Sequence, residues 1–296
     1  MLIKKFPANI PGRTAAICQI FLKGFLISLA AGSLFTGCAT PANGKWFAEN
    51  GKNDALREVM KRKDKIIHLS PKAAAADKPV LLLLHGATDD PTEMMDIVRE
   101  WNGRYDVYLY AYNFHKPVER AAADFTRELK RIELENPRAA RGTIVVYSYS
   151  AIIFREAVID ATDQSIFASV SLIQLVPTAG GSNLASGMEN PFTAWLVSRV
   201  SKSSQAENPY GSLANHLWDG DGNRKFYATI SGERMHTILL EEDAHSLANT
   251  TDETIRRRYE NGLGTNVLMI PKSAGVTHDY FPTHPVALEY LRKLLK

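Results

Sequence analysis

Cysteine is nearly absent from this chain: Cys18 and Cys38 are the only two among 296 residues. Such a count leaves no room for a disulfide framework. An excess of one charge sign is missing too. The 35 Lys and Arg face 32 Asp and Glu, and the formal +3 becomes −1 once Lys4, Lys5, Arg13 and Lys23, the only charged residues of 1–37, are set aside. A nearly neutral body has no global electrostatic case for binding nucleic acid. Internal repeats are lacking, and no low-complexity tract exceeds Ala73–Ala76. With 45% hydrophobic and 23% charged residues, the chain as a whole is neither disordered nor collagen-like. A long apolar run is also wanting. The uncharged stretch Gly24–Gly37 has 14 residues, against about 20 for a membrane-crossing helix.

That stretch, preceded by cations, has the flanks and length of a signal peptide and is set apart from the fold. Its end, Leu34-Phe35-Thr36-Gly37-Cys38, resembles the lipobox of bacterial lipoproteins, with Phe35 bulkier than the usual Leu. The resemblance implies a signal peptide over 1–37 and lipidation of Cys38. Ala39 in place of Asp implies sorting to the outer membrane, facing the periplasm or the cell surface. Cys18 is then removed, and no intrachain disulfide can form. Several acyl chains, palmitate among them, would anchor firmly, since each buried CH₂ contributes about 0.8 kcal/mol. Residues 38–78 read as the lipidated N-terminus, a tether over Thr40–Trp46 and a lead-in helix over Asp54–Lys65.

From residue 79 onward the pattern becomes α/β. Val80–Leu84 is a continuous apolar run, as expected of a strand buried on both faces. Strands are expected over Asp106–Tyr112, Thr143–Tyr147, Phe167–Val176, Lys225–Ser231 and Asn266–Ile270. Helices are expected over Pro91–Trp101, Val118–Glu133, Ala151–Ile159 and Pro285–Leu295. Alternating strands and helices predict a mostly parallel central sheet covered on both faces. Almost fifty residues interrupt the alternation after Val176. They include Met188, Phe192, Trp195 and Leu196, and read either as a helical lid over 183–224 or as ordinary core.

Three pieces of sequence suit one mechanism. Leu84-His85-Gly86-Ala87 ends a buried strand, where open α/β sheets place their sites and where glycine lets the backbone turn sharply. Val145-Val146-Tyr147-Ser148-Tyr149-Ser150-Ala151 runs from a strand straight into a helix, the context of a nucleophile elbow. The usual glycines two before and two after the nucleophile are both missing. Ser148 as nucleophile puts Val146 and Ser150 at those positions; Ser150 puts Ser148 and Ile152 there. The bulkier Ile on the helix side favours Ser148, with Ser150 the alternative. Gly275-Val276-Thr277-His278 follows the last strand and supplies a candidate general base. His284, just before Pro285, is its rival. His115, His216, His236 and His245 show no metal-ligand spacing. An acid to orient the histidine is sought between these pieces. Asp243 is preferred, with Glu233, Glu242 and Asp252 as alternatives. Asp219-Gly220-Asp221-Gly222-Asn223 departs from a calcium loop at Arg224 and Ile230, and reads as a turn.

Ser148–Arg155 (SYSAIIFR) resembles the Ser-Met-Gly-Gly-Leu-Val-Ala-Arg stretch of lipase-like hydrolases, and Pro177–Ala185 resembles their Pro-x-x-Gly-Ser-x-Leu-Ala segment with one residue added. The chain order Ser…Asp…His is that of the superfamily. Val80–Lys296 is thus identified as similar to the α/β-hydrolase superfamily, nearest its lipases and esterases. The resemblance implies Ser148 as nucleophile, His278 as base, Asp243 as acid, and the N–H groups of Ala87 and Tyr149 as oxyanion donors. It implies carboxylic ester hydrolysis of a small-molecule or lipid ester, with no cofactor and no metal. An inert binding module in the cell envelope, and an acyltransferase using the same three residues, are the alternatives.

Overall fold

In the computed structural model, residues 64–70, 77–87, 91–113, 116–177, 225–226, 228–230, 232–241 and 266–295 are described. All fall within the unit Lys45–Lys296. The run Val80–Leu84 forms strand β2, and all five of its residues are buried. It has no polar face, so it must lie inside a sheet covered on both sides. Around it stand β1 (Lys65–His68), β3 (Asp106–Ala111), β4 (Thr143–Tyr147), β5 (Ser171–Leu175), β6 (Met235–Leu240) and β7 (Asn266–Ile270). The sheet order is β1-β3-β2-β4-β5-β6-β7. Only β1 runs antiparallel.

Strand order reverses at β2. The chain steps to β3 on one side, returns across β2 to β4, and then proceeds outward through β5, β6 and β7. Ligands of open α/β sheets bind beyond the carboxyl ends of strands at such a reversal. Here those ends are Leu84 and Tyr147, with Leu84 in register with Val146.

Helices α1 (Met95–Trp101, after a 3₁₀ turn over Pro91–Met94), α2 (Val118–Glu135), α3 (Ser150–Asp160) and α4 (Pro285–Leu294) cover the sheet. Successive strand residues point to opposite faces. Leu81, Leu83, Val107, Leu109, Val145 and Ile173 share one core with Met95, Ile97 and Trp101 of α1 and with Ala287 and Leu291 of α4. Arg292 clamps α4 to α1 through Glu100 at 2.8 and 3.1 Å. On the other face the rings of Tyr110 and Phe125 lie 5.1 Å apart and those of Phe125 and Phe154 6.0 Å apart, joining β3 to α2 and α3. Among the described residues, no helix is long and apolar enough to cross a membrane.

Three expectations need correction. Lys65, expected to end a lead-in helix, instead opens the edge strand Lys65–His68, so the sheet begins before residue 79. The expected strand over Lys225–Ser231 is helical where described: Ile230 N–H donates to Phe226 O at 3.0 Å and Thr229 Oγ1 to Lys225 O at 3.1 Å. Phe226 and Ile230 are both buried, and their spacing of four suits a helix face as well as a strand face. The strand in that region is β6, which lies outside every strand expected from the sequence. The expected strand Phe167–Val176 is shorter than its apolar pattern, because Gln164–Phe167 is a 3₁₀ turn leading into β5. The lid-like segment 183–224 lies outside the described residues.

The edge strand β1 is protected by α2. Glu128, itself buried, accepts from Ile66 N–H at 3.3 Å and from Lys65 Nζ at 2.7 Å, while Arg131 donates to Ile66 O at 3.0 Å and to Glu128. These bonds occupy main-chain groups an edge would otherwise leave open. Burial raises the Glu128 pKa, but the bonds from Lys65, Arg131 and the Ile66 N–H outweigh it and hold the carboxyl below its ordinary value. A lowered folded pKa stabilises the protein above the unfolded carboxyl's value, about 4.3, and that stability vanishes as pH falls through the folded value. Glu128→Gln should therefore cost about 1 kcal/mol at pH 7, a figure kept small because Lys65 and Arg131 remain more than one-third exposed. The difference from the unaltered protein should close in urea melts as pH falls through the lowered value of the folded carboxyl; a gap independent of pH would contradict the assignment.

Candidate active site

Ser148 follows β4 directly and has φ 53°. A left-handed conformation at a residue with a Cβ costs about 1–2 kcal/mol, and surrounding bonds must enforce it. Ser148 N–H donates to Leu175 O at 2.9 Å, extending the β4–β5 ladder by one residue. Ala151 N–H donates to Ser148 O at 3.2 Å and starts the turn into α3. The elbow thus forms with Val146 and Ser150 where glycines are usual, the positive φ falling on the serine itself.

Ser150 does different work. Its Oγ is fully buried, accepts from Tyr147 N–H at 2.9 Å, and directs its own proton towards Leu84 O at 3.1 Å or Tyr147 O at 2.9 Å. Its hydroxyl ties the elbow to the end of β2. Of the two serines, Ser148 is the one the structure brings to a histidine: its Oγ lies 2.7 Å from His278 Nε2. Both side chains are more than nine-tenths buried.

His278 reaches this point from the far side of the sheet. β7 lies three strand spacings from β4, about 14 Å. The segment after Ile270 crosses back through a 3₁₀ turn at Lys272–Ala274, which Gly275 closes at φ 68° in the left-handed region that glycine adopts freely. Tyr147 anchors the returning chain: its hydroxyl donates to the main-chain oxygen of His278 at 2.6 Å. His284, the rival base, caps α4 instead, its Nδ1 accepting from Val286 N–H at 3.3 Å.

Of the acid candidates, Glu233 precedes β6 in a 3₁₀ turn at the amino edge of the sheet, opposite to Ser148. Asp243, Glu242 and Asp252 lie outside the described residues. β6 ends at Leu240 on the carboxyl edge, three positions before Asp243 in the chain.

The loop after β2 is held by polar groups on every side. Gly86 N–H donates to Glu93 Oε1 in a short bond. Gly86 O accepts from Tyr112 Oη at 2.6 Å and from His85 Nδ1 at 3.0 Å. His85 is fully buried, and its Nε2 accepts from Tyr112 N–H at 3.2 Å, which places the ring's proton on Nδ1. The two rings stack at 4.0 Å. Ala87 follows at this loop, and Tyr149 follows Ser148 at the start of α3, so both expected oxyanion donors stand at the carboxyl edge by the strand-order reversal. No sequence pattern assigns a role to Tyr112, Glu93 or Tyr147: Tyr112 ends an expected strand, Glu93 lies in an expected helix, and Tyr147 closes the strand ahead of the elbow serine. The cysteine expected to carry lipid, Cys38, lies outside the described residues. Among the described residues no cluster of His, Cys, Asp and Glu could hold a metal ion.

No protein-family model and no curated protein matches the chain by sequence. Solved structures do resemble it. The mature form of lipase BlEst2 from Bacillus licheniformis is 13% identical, with 79% of this chain and 99% of that chain covered and a TM-score of 0.53. The propeptide form of the same lipase is 14% identical, with 79% and 54% covered and a TM-score of 0.56. Sheet order, elbow and chain path together show that this chain has the α/β-hydrolase fold.

Proposed function

We propose that the protein is a serine hydrolase of carboxylic esters. The observation that carries this reading is the 2.7 Å contact between Ser148 Oγ, on a left-handed elbow, and His278 Nε2. A nucleophile needs a base within hydrogen-bond reach, and the base a fixed orientation. Ser148 Oγ attacks the ester carbonyl carbon as its proton passes to His278 Nε2. The N–H groups of Ala87 and Tyr149 receive the charge that develops on the carbonyl oxygen. Collapse breaks the bond to the alkoxide, which leaves with the proton from His278. Water then gives a proton to His278 as it attacks the acyl-enzyme carbonyl, and collapse breaks the bond to Ser148 Oγ, which takes that proton back from His278 as the acid is released. With Nε2 accepting, the neutral ring carries its proton on Nδ1, where Asp243, after β6, would accept it and hold the tautomer. The likeness to a lipase supports an ester as substrate.

The same proposal places the enzyme at the cell envelope through acyl chains on Cys38. Purified protein should release p-nitrophenol from p-nitrophenyl esters, and the chain made in a bacterium should partition into detergent with membrane lipoproteins. No turnover across acetyl to palmitoyl esters would remove the esterase reading, and recovery of an unacylated chain would remove the anchor.

A further inference from the structure

Two successive peptide units are held around Gly86, and Tyr112 Oη reaches both, 2.9 Å from His85 O of the first and 2.6 Å from Gly86 O of the second; the second unit takes the nearer contact. Its oxygen, Gly86 O, takes bonds from Tyr112 Oη at 2.6 Å and His85 Nδ1 at 3.0 Å, and its hydrogen is the Ala87 N–H. The peptide is trans, so oxygen and hydrogen point in opposite directions. Tyr112 directly follows β3, and Ser148 directly follows β4; these strands flank β2 on its two sides. A carbonyl drawn towards the β3 side therefore turns the Ala87 N–H towards the β4 side, where Ser148 stands. Gly86 also lies against the Tyr147 ring, since a Cβ there would meet Tyr147 Cδ1 and Cε1 at 2.9 Å. This peptide is consequently next to the elbow. Glu93 Oε1 holds the preceding peptide by accepting from its Gly86 N–H.

We propose that Tyr112, seconded by His85, is a positioning residue that aims the Ala87 N–H at the reacting oxygen by locking the Gly86–Ala87 peptide plane. The inference rests on the ester-hydrolase reading and specifies how its oxyanion site is set. Tyr112 and His85 act through the main chain of this loop, to which their polar atoms bond. They remove the alternative in which the peptide rotates and presents its carbonyl oxygen to the developing negative charge.

Tyr112→Phe tests this, because the ring and its stacking on His85 are kept and only the hydroxyl is lost. Three quantities are read: steady-state kinetics on p-nitrophenyl acetate, the inhibition constant of an arylboronic acid, whose serine adduct carries a tetrahedral negative charge, and the thermal melt. A lost oxyanion donor typically lowers turnover by 10²–10³. A loosened one should lower kcat by about 10–100-fold, weaken the boronate in parallel, and leave KM within about twofold. A folded Tyr112→Phe protein with unchanged kcat and boronate affinity overturns the proposal. So does a fall in kcat with boronate affinity unchanged, which would place the effect elsewhere. His85→Phe, which removes the second donor to the same oxygen, decides the matter if Tyr112→Phe does not melt cooperatively. Turnover in the unaltered protein that disappears in Ser148→Ala keeps the hydrolase reading standing whatever Tyr112→Phe does. An unaltered protein without turnover takes both readings down together.

Discussion

Ser148→Ala should lower kcat for ester hydrolysis by about 10⁴–10⁶, with the melting temperature unchanged or raised. Removing the nucleophile of a serine–histidine pair costs about as much as removing the whole constellation. The residual rate comes from binding and oxyanion contacts alone. The stability effect has its own cause. Ser148 is held at φ 53°, and its hydroxyl bonds an imidazole rather than a structural main-chain group. Alanine keeps the strain and loses little packing. Ser150→Ala should behave in the opposite way. Its hydroxyl satisfies the buried Tyr147 N–H, and orphaning such a donor costs about 1–3 kcal/mol. Its turnover should remain far above that of Ser148→Ala. Kinetics and urea melts on the two variants exchange the serines' roles if the register is wrong: activity would then vanish with Ser150 and survive without Ser148.

Gly86→Ala should damage stability and rate together. The added Cβ would lie 2.9 Å from two ring carbons of Tyr147 and 3.1 Å from Glu93 Oε1. Exposed tyrosine rings yield to such crowding, but this one is fixed at three points. It is buried, its main-chain N–H is held by Ser150 Oγ, and its hydroxyl holds the main-chain oxygen of His278. The ring cannot move without moving His278 from Ser148. Overpacking in a filled core costs about 1–3 kcal/mol. A displacement of 1 Å between reacting groups can cost 10²-fold in rate, so kcat should fall by about 10–100-fold. Calorimetry with ester kinetics reads both effects. A Gly86→Ala protein with native melting and native kcat would show that the Tyr147 ring is free to shift.

Much of this architecture is written in local patterns. β2 is legible because five adjacent apolar residues admit no polar face, and all five are buried. The same holds for β4, where Thr143 alone is partly exposed. β1 is illegible for the converse reason. It has four residues, only Ile66 is buried, and it exists as a strand by pairing with β3. The stretch around Phe226 and Ile230 satisfies two periods at once, and only tertiary packing chooses between them. At the site, Ser148 and His278 stand out by residue type and by their places after strands. The missing elbow glycines mislead less than they threaten, since the left-handed turn falls on Ser148 itself and Ser150 adds a hydroxyl brace. The roles of Tyr112, Glu93 and Tyr147 leave no mark in the sequence. Their roles come from bonds that span 26, 7 and 131 positions, and no periodicity encodes contacts of that kind.

The hydroxyl of Ser148 is the centre of the mechanism, and a fluorophosphonate reports on it directly, because only a serine activated by a neighbouring base displaces the fluoride at a useful rate. Mass spectrometry of the treated and digested protein should find one phosphonyl group, on the peptide bearing Ser148, with no adduct in His278→Ala. An unmodified protein, or an adduct on Ser150, would contradict the assignment.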